Sequence, residues 1–382
     1  MAIILDATLR EGEQTPGVYF DEHIKLAIAD LLNEIGIRII EAGHPMVTPE
    51  IYHAVKRIAN RKLKSIVGAH SRSLEKDVDL ALECGVGFLG IFYCVSDDRL
   101  NGVFKKELTS AIDQIAKVIS YAKEKKPDLL IRYTPEDTVR SKFENVVSAS
   151  VAAVNAGADI ISVADTTGHM VPGTANNMYD FVCRLKDALD QKNANPKIAV
   201  HCHNDRGFAL ANALDAFRAN AEIIDATVLG LGERAGIVDL SQLIVALLDH
   251  DHEMHSWKTE KLSELYQLVS RYSGIPIPAH FPVMGKNAFT HCAGVHTHAA
   301  IKNPLHYQSL DPKIFNRTME VSLDHMSGLS SIQWALEQLN IELDKEHTQQ
   351  VLETVKSIGQ KGRSVDLDEL KHIVEWSAKE GN

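Results

Sequence analysis

One pattern constrains this chain more than any other. A short apolar run that reads as a buried strand is followed by a stretch with helical spacing, and the pair recurs eight times before residue 250. The runs are Ile3–Leu5, Ile37–Ile40, Ser65–Ala69, Phe88–Cys94, Leu129–Tyr133, Ile160–Ala164, Lys197–Val200 and Ile223–Val228. Between the first two, Ile24, Ala27, Ile28, Leu31 and Leu32 share one helical face. Eight such alternations over roughly 250 residues predict a (β/α)8 TIM barrel of the α/β class. A doubly wound sheet shares the alternation, but no Gly-x-Gly-x-x-Gly follows the first strand, which argues against a dinucleotide fold.

After about residue 250 the alternation stops. His250 to His255 is a polar break, Trp257 to Tyr272 reads as a helix, and Pro276, Pro278 and Pro282 follow. Leu329–Leu339, Lys345–Ile358 and Leu367–Ala378 read as helices. We therefore expect a barrel over residues 1–255 and a mostly helical region over 256–382.

Composition narrows the partners. The net charge is −11, with no basic block or zinc-finger spacing, so nucleic acid is not an expected partner. The five cysteines are scattered without a Cys-x-x-Cys pair, as in a reduced cytosolic chain without disulfides. No signal peptide is visible, and no apolar run approaches the ~20 residues of a membrane span.

Polar residues gather where the strands end, the face on which such barrels build active sites. Asp6-Ala7-Thr8-Leu9-Arg10-Glu11-Gly12-Glu13-Gln14 follows the first strand, Glu41-Ala42-Gly43-His44 the second, and His70 and Arg72 the third. Thr134, Glu136 and Asp137 follow the fifth, Asp165-Thr166-Thr167-Gly168 the sixth, His201-Cys202-His203-Asn204-Asp205-Arg206-Gly207 the seventh, and Gly230-Leu231-Gly232-Glu233-Arg234 the eighth. In an extended chain residues i and i+2 share a side, so His201 and His203 can aim at one point. Glu11 or Asp6 can add a carboxylate, giving two His and one carboxylate around a cation with open positions. The same spacing also fits two partly buried histidines satisfied by backbone. Asp205 would orient ligating imidazoles.

Other residues keep two readings. Arg10 and Glu11 fit a surface ion pair, or a guanidinium fork for a carboxylate or oxyanion. Glu136-Asp137 fits helix capping or catalysis. Glu233-Arg234 fits a structural pair bracing its loop. His291, His296 and His298 cluster around Gly294, which fits a general acid or base and equally a zinc site.

Taken together, the Asp-x-Thr-Leu-Arg-Glu-Gly-Glu-Gln, His-x-His-Asn-Asp and Gly-x-Gly-Glu-Arg segments resemble the Claisen-condensing (β/α)8 metalloenzymes: homocitrate, isopropylmalate and citramalate synthases. The resemblance covers nearly the whole chain. It implies an acyltransferase of amino-acid biosynthesis that joins acetyl-CoA to a 2-keto acid with a divalent metal (Zn, Mn, Mg, Fe or Co). Glu11, His201 and His203 match the metal ligands. Arg10 matches the residue that holds the keto-acid oxygens, and Gln14, Thr134 and Thr166 match substrate contacts. Glu136, His296 and Tyr307 match catalytic positions, the last two in a tail that reaches a partner's barrel, which implies a homodimer. Glu11 in place of Asp, Gly236-Ile237 after Glu233-Arg234, and Arg132 in Ile131-Arg132-Tyr133 lean to the homocitrate branch, with 2-oxoglutarate as keto acid and lysine biosynthesis as setting. One position departs. That branch carries a His after the third strand that reads the far carboxylate. The register here puts Leu74 in its place, nearer the isopropylmalate pattern, with His70 as the alternative. An isopropylmalate, citramalate or phosphonomethylmalate-type synthase, or a metal-dependent aldolase or lyase, is the competing reading.

Overall fold

The computed structural model describes residues 2–248 and 257–380. The expected polar break at His250 to His255 lies outside them, as does the expected boundary at 255/256. Eight strands form the closed parallel barrel that the alternation predicts: β1 (Ile3–Asp6), β2 (Ile39–Glu41), β3 (Ile66–Arg72), β4 (Phe88–Cys94), β5 (Leu130–Glu136), β6 (Ile160–Asp165), β7 (Lys197–Cys202) and β8 (Ile223–Ala226). They pair in sequence order, and β1 closes the ring on β8 with Ile3 opposite Ile223 and Leu5 opposite Asp225. Several strands run further than their apolar stretch. His70, Glu136 and His201 belong to β3, β5 and β7 themselves rather than to the loops beyond.

Local chemistry explains the helices between the strands. The first, α1 (Glu22–Ile35), begins where the Asp21 carboxylate accepts the Ile24 N–H. It ends at Gly36, whose φ of 100° is the left-handed conformation that closes a helix. Its Leu26, Ile28, Ala29 and Leu32 are buried. Inside the barrel, Leu5, Ile39, Phe88, Ile160, Ala199 and Ile223 form an apolar plug. Burying each large side chain there contributes about 1.5–3 kcal/mol. The plug seals the lower half, so the interior opens only beyond the strands' C-terminal ends.

The chain divides into two compact units, Met1–Pro276 and Ile277–Asn382. The helix α2 (Leu262–Ser273) packs on α1 and so belongs with the barrel. The second unit has its own core, built from Leu323, Ile332, Leu336, Val351, Val355 and Leu370. The three expected helices are there, as Leu329–Gln338, Lys345–Gly359 and Leu367–Glu380. Thr290–His291 and Glu320–Val321 add a two-stranded parallel pair. No helix among the described residues is long and apolar enough to cross a membrane.

Candidate active site

A cavity of about 490 Å³ opens above the plug, lined from β1 and its loop round to the loop after β8. Of the expected residues, Arg10, Glu11, Gln14, His70, Arg132, Thr134, Glu136, Thr166, His201 and His203 line it. Leu74 does not: it sits 42 % exposed at the start of the helix Glu75–Cys84. The histidine that faces the cavity from β3 is His70, stacked 4.8 Å from the Phe92 ring. His296 and Tyr307 belong to the second unit, where their rings lie 4.4 Å apart. His291 bonds Gln308 and His298 bonds Ser330, so the tail histidines have separate partners.

His201 on β7 and His203 just beyond its end, two residues on, come together with their Nε2 atoms 3.3 Å apart. The Glu11 carboxylate lies 3.9 Å from His201 Nε2. Ligand atoms of these three residues all fall within 4.8 Å of one another, the one such trio among the described residues. A cation with bonds of about 2.1 Å separates neighbouring ligand atoms by roughly 3–3.5 Å, so the trio fits. Its chemistry fits too. His201 Nδ1 lies 2.9 Å from Asp225, which receives its N–H and leaves the Nε2 lone pair facing inward. Burial, and then the neighbouring His201, push the His203 pKa down to about 4, so its imidazole is neutral at pH 7 and competent to ligate. Its Nδ1 is buried with no hydrogen-bond partner. Burial opposes ionisation of Glu11, but Arg10, His201 and His203 outweigh it and hold its pKa below the usual value. The loop after β8 completes the setting: the Glu233 N–H donates to Glu11 Oε1 at 3.1 Å. A Cβ at Gly232 would sit 2.9 Å from that oxygen, so only glycine lets the backbone come this close.

The expected carboxylates change roles. Asp205 does not orient the imidazoles; it holds the Arg234 guanidinium in a fork at 2.7 and 3.0 Å, and Asp225 takes the orienting role. Asp6 is not a ligand, because it accepts the Thr8 N–H and hydroxyl. Asp225 did not stand out in sequence, and Glu41 did so only as one of the polar residues after the second strand. Glu41 accepts Arg10 Nε at 2.6 Å, lies 3.1 Å from His70 Nδ1, and accepts Arg132 Nη2 at 3.2 Å. Burial alone would raise its pKa, yet Arg10, His70 and Arg132 hold it well below the carboxylate range. Burial, and then the Arg10 charge, lower His70 to about 4. Arg132 gives Nη1 to both Asp225 oxygens, at 2.8 and 2.9 Å. Arg99, also missed, pairs with Glu136 at 2.5 Å. The signal for Asp225 and Glu41 was an acid closing an otherwise apolar strand, Ile223-Ile224-Asp225 and Ile39-Ile40-Glu41.

Four buried polar atoms on the cavity wall have no partner among the described residues: Arg132 Nε, Thr134 Oγ1, Ser162 Oγ and His203 Nδ1. Such groups are uncommon in folded proteins and call for a ligand or water. Gly90 makes room beside them, since a Cβ there would lie 3.1 Å from both Glu41 Oε1 and His70 Nδ1.

Known proteins carry the same plan. Residues 1–269 match the HMGL-like family, and residues 283–363 match the homocitrate synthase post-HMGL domain-like family. A homocitrate synthase of Pyrococcus horikoshii is 41% identical over 355 residues, covering 93% of this chain and 95% of that protein. A homocitrate synthase of Saccharolobus islandicus is 40% identical over 358 residues, covering 93% of this chain and 76% of that one. Among solved structures, an HMG-CoA lyase from Brucella melitensis shares the fold with a TM-score of 0.59 at 20% identity, covering 72% of this chain and 99% of that one. The chain belongs to the HMGL-like family, and to those members that carry the homocitrate synthase post-HMGL domain.

Proposed function

We propose that the barrel condenses acetyl-CoA with a 2-keto acid, best 2-oxoglutarate, to give homocitrate and CoA, in keeping with the homocitrate synthases to which it is similar. Lysine biosynthesis is the corresponding setting. Glu11, His201 and His203 would hold a divalent metal (Zn, Mn, Mg or Co), which supplies Lewis-acid polarisation of a carbonyl when bound. Arg10 is positioned by Glu41 at Nε and by Glu11 at Nη1, which leaves Nη2 to donate to the keto oxygen. As the methyl carbon of acetyl-CoA bonds to C2 of the keto acid, that oxygen becomes an alkoxide. A fixed guanidinium stabilises the charge where it develops. The methyl proton leaves to a base, and Glu136, His296 and Tyr307 form the proton-transfer set. Water then cleaves the thioester C–S bond and releases CoA.

His296 and Tyr307 belong to the second unit, and we place them over the barrel of a partner subunit in a homodimer. Mixing inactive Arg10→Ala and His296→Ala proteins tests this, because exchange of subunits would restore part of the activity.

The observation that carries the choice of keto acid is the wall of unpartnered donors. Arg132 Nε, Thr134 Oγ1 and Ser162 Oγ suit an oxygen-bearing distal group. A branched aliphatic substituent would leave them buried and unsatisfied, at about 1–3 kcal/mol each. Gln14 and Thr166 complete the substrate contacts. Thiol release measured across 2-oxoglutarate, 2-oxoisovalerate, pyruvate and phosphonopyruvate is the test. Preference for 2-oxoisovalerate or pyruvate would replace the homocitrate reading, and metal-dependent cleavage without acetyl-CoA turnover would replace condensation by a lyase reaction.

A further inference from the structure

The buried charges around the cavity are joined end to end. Starting at the metal carboxylate, Glu11 accepts Arg10 Nη1, and Arg10 Nε donates to Glu41 at 2.6 Å. Glu41 accepts Arg132 Nη2 at 3.2 Å, Arg132 Nη1 donates to Asp225 at 2.8 Å, and Asp225 lies 2.9 Å from His201 Nδ1. The path therefore alternates in sign, crosses the barrel through β2, β5, β8 and β7, and begins and ends on two of the three proposed ligands.

We propose that this closed ring is one positioning device, and that Arg132, on the far side of the barrel from β1, sets the geometry of the metal site through it. Both amino groups of Arg132 are already taken by acids, so its larger share of work is to pin Glu41 and Asp225. Only Nε is left for substrate. Glu41 in turn fixes Arg10, and Asp225 fixes the tautomer and tilt of His201. Removing Arg132 takes a countercharge from two buried carboxylates at once, leaving Glu41 to Arg10 and His70 and Asp225 to His201, which shifts both ends of the ring. The inference rests on the reading of Glu11, His201 and His203 as ligands.

The test is binding of Mn2+ alone, followed by the electron paramagnetic resonance signal of the free ion, with no substrate present. Asp225→Asn should weaken Mn2+ roughly 10- to 100-fold, as loss of a carboxylate behind a ligating His does. Arg132→Gln should weaken it about 5-fold or more although Arg132 touches no ligand, and Arg132→Lys should recover part of the loss. Circular dichroism and thermal melting select variants that fold. Should Arg132→Gln fail to fold, Glu41→Gln interrupts the ring one step nearer Arg10 and should show the same weakening. Folded Arg132→Gln protein that binds Mn2+ like the wild type, with only KM for the keto acid raised, would overturn the ring and leave Arg132 a plain substrate contact. Wild-type protein that binds no Mn2+, Zn2+ or Co2+ would instead overturn the metal reading itself.

Discussion

Two layers of the same barrel, one turn of the pleat apart, have opposite chemistry. The lower layer is Leu5, Ile39, Phe88, Ile160, Ala199 and Ile223, all apolar. Moving two residues along three of those strands gives Glu41, His201 and Asp225, and Arg132 on β5 stands over the Phe88 ring at 5.4 Å. Both layers are buried. The lower one is held by packing and tolerates any filling of the right shape and volume. The upper one is held by mutual compensation of charge, so each member depends on its neighbours. The contrast teaches that burial alone does not separate core from active site in this fold; the satisfaction of buried polar groups does.

Four measurements would break or sharpen this contrast. Phe88→Ala should cost about 3–5 kcal/mol of unfolding free energy by denaturant titration, the largest effect, because it opens a cavity under Arg132. A small loss there would mean that the plug is not the stabilising layer. Arg10→Ala should lower kcat roughly 10²–10³-fold in folded protein, with a loss of melting temperature as well, since Glu11 and Glu41 each lose a buried partner. Near-full turnover would remove Arg10 from the oxyanion role.

Acidification should separate the layers next. His70 and His203 are both lowered to about 4, below the unfolded value of 6.5. Between those values the unfolded chain binds more protons, so their contribution is present above pH 6.5 and is lost as pH falls toward 4. Asp6 works the other way: burial raises it to about 7, so its contribution is present below 3.8 and fades as pH rises through 7. Metal-free protein should therefore lose stability on acidification from pH 6.5 to 4 by less than two histidines alone would give. Asp6→Asn should steepen that loss, and an unchanged slope would deny Asp6 its share. The smallest effect belongs to Ile160→Val in the plug, about 0.5–1.5 kcal/mol with kinetics unaltered. A changed KM from that variant would show that the layers are coupled.

Much of this was legible along the chain. Strand–helix alternation placed all eight strands within a few residues, because each element's burial is written in its own periodicity. His201 and His203 could be paired by eye, since the two-residue repeat of a strand is local. Leu74 against His70 was harder. The choice turns on how far β3 extends before the next helix starts, and β3 runs to Arg72, which carries His70 inside the wall and leaves Leu74 at the helix cap. Asp205 and Asp225 were harder still. Both are acids near the seventh and eighth strands, and only the closed barrel shows that the first meets Arg234 while the second reaches His201.

The order of strands and helices, the polar rim and the paired imidazoles were set by residues a few positions apart, where backbone geometry alone links spacing to direction. Which acid serves which cation was settled by closure of the barrel. Glu41 and Arg132 stand 91 positions apart, and Arg132 and Asp225 stand 93 apart. Only the shear and curvature of eight paired strands bring such groups within hydrogen-bond reach, away from the water that would otherwise screen them.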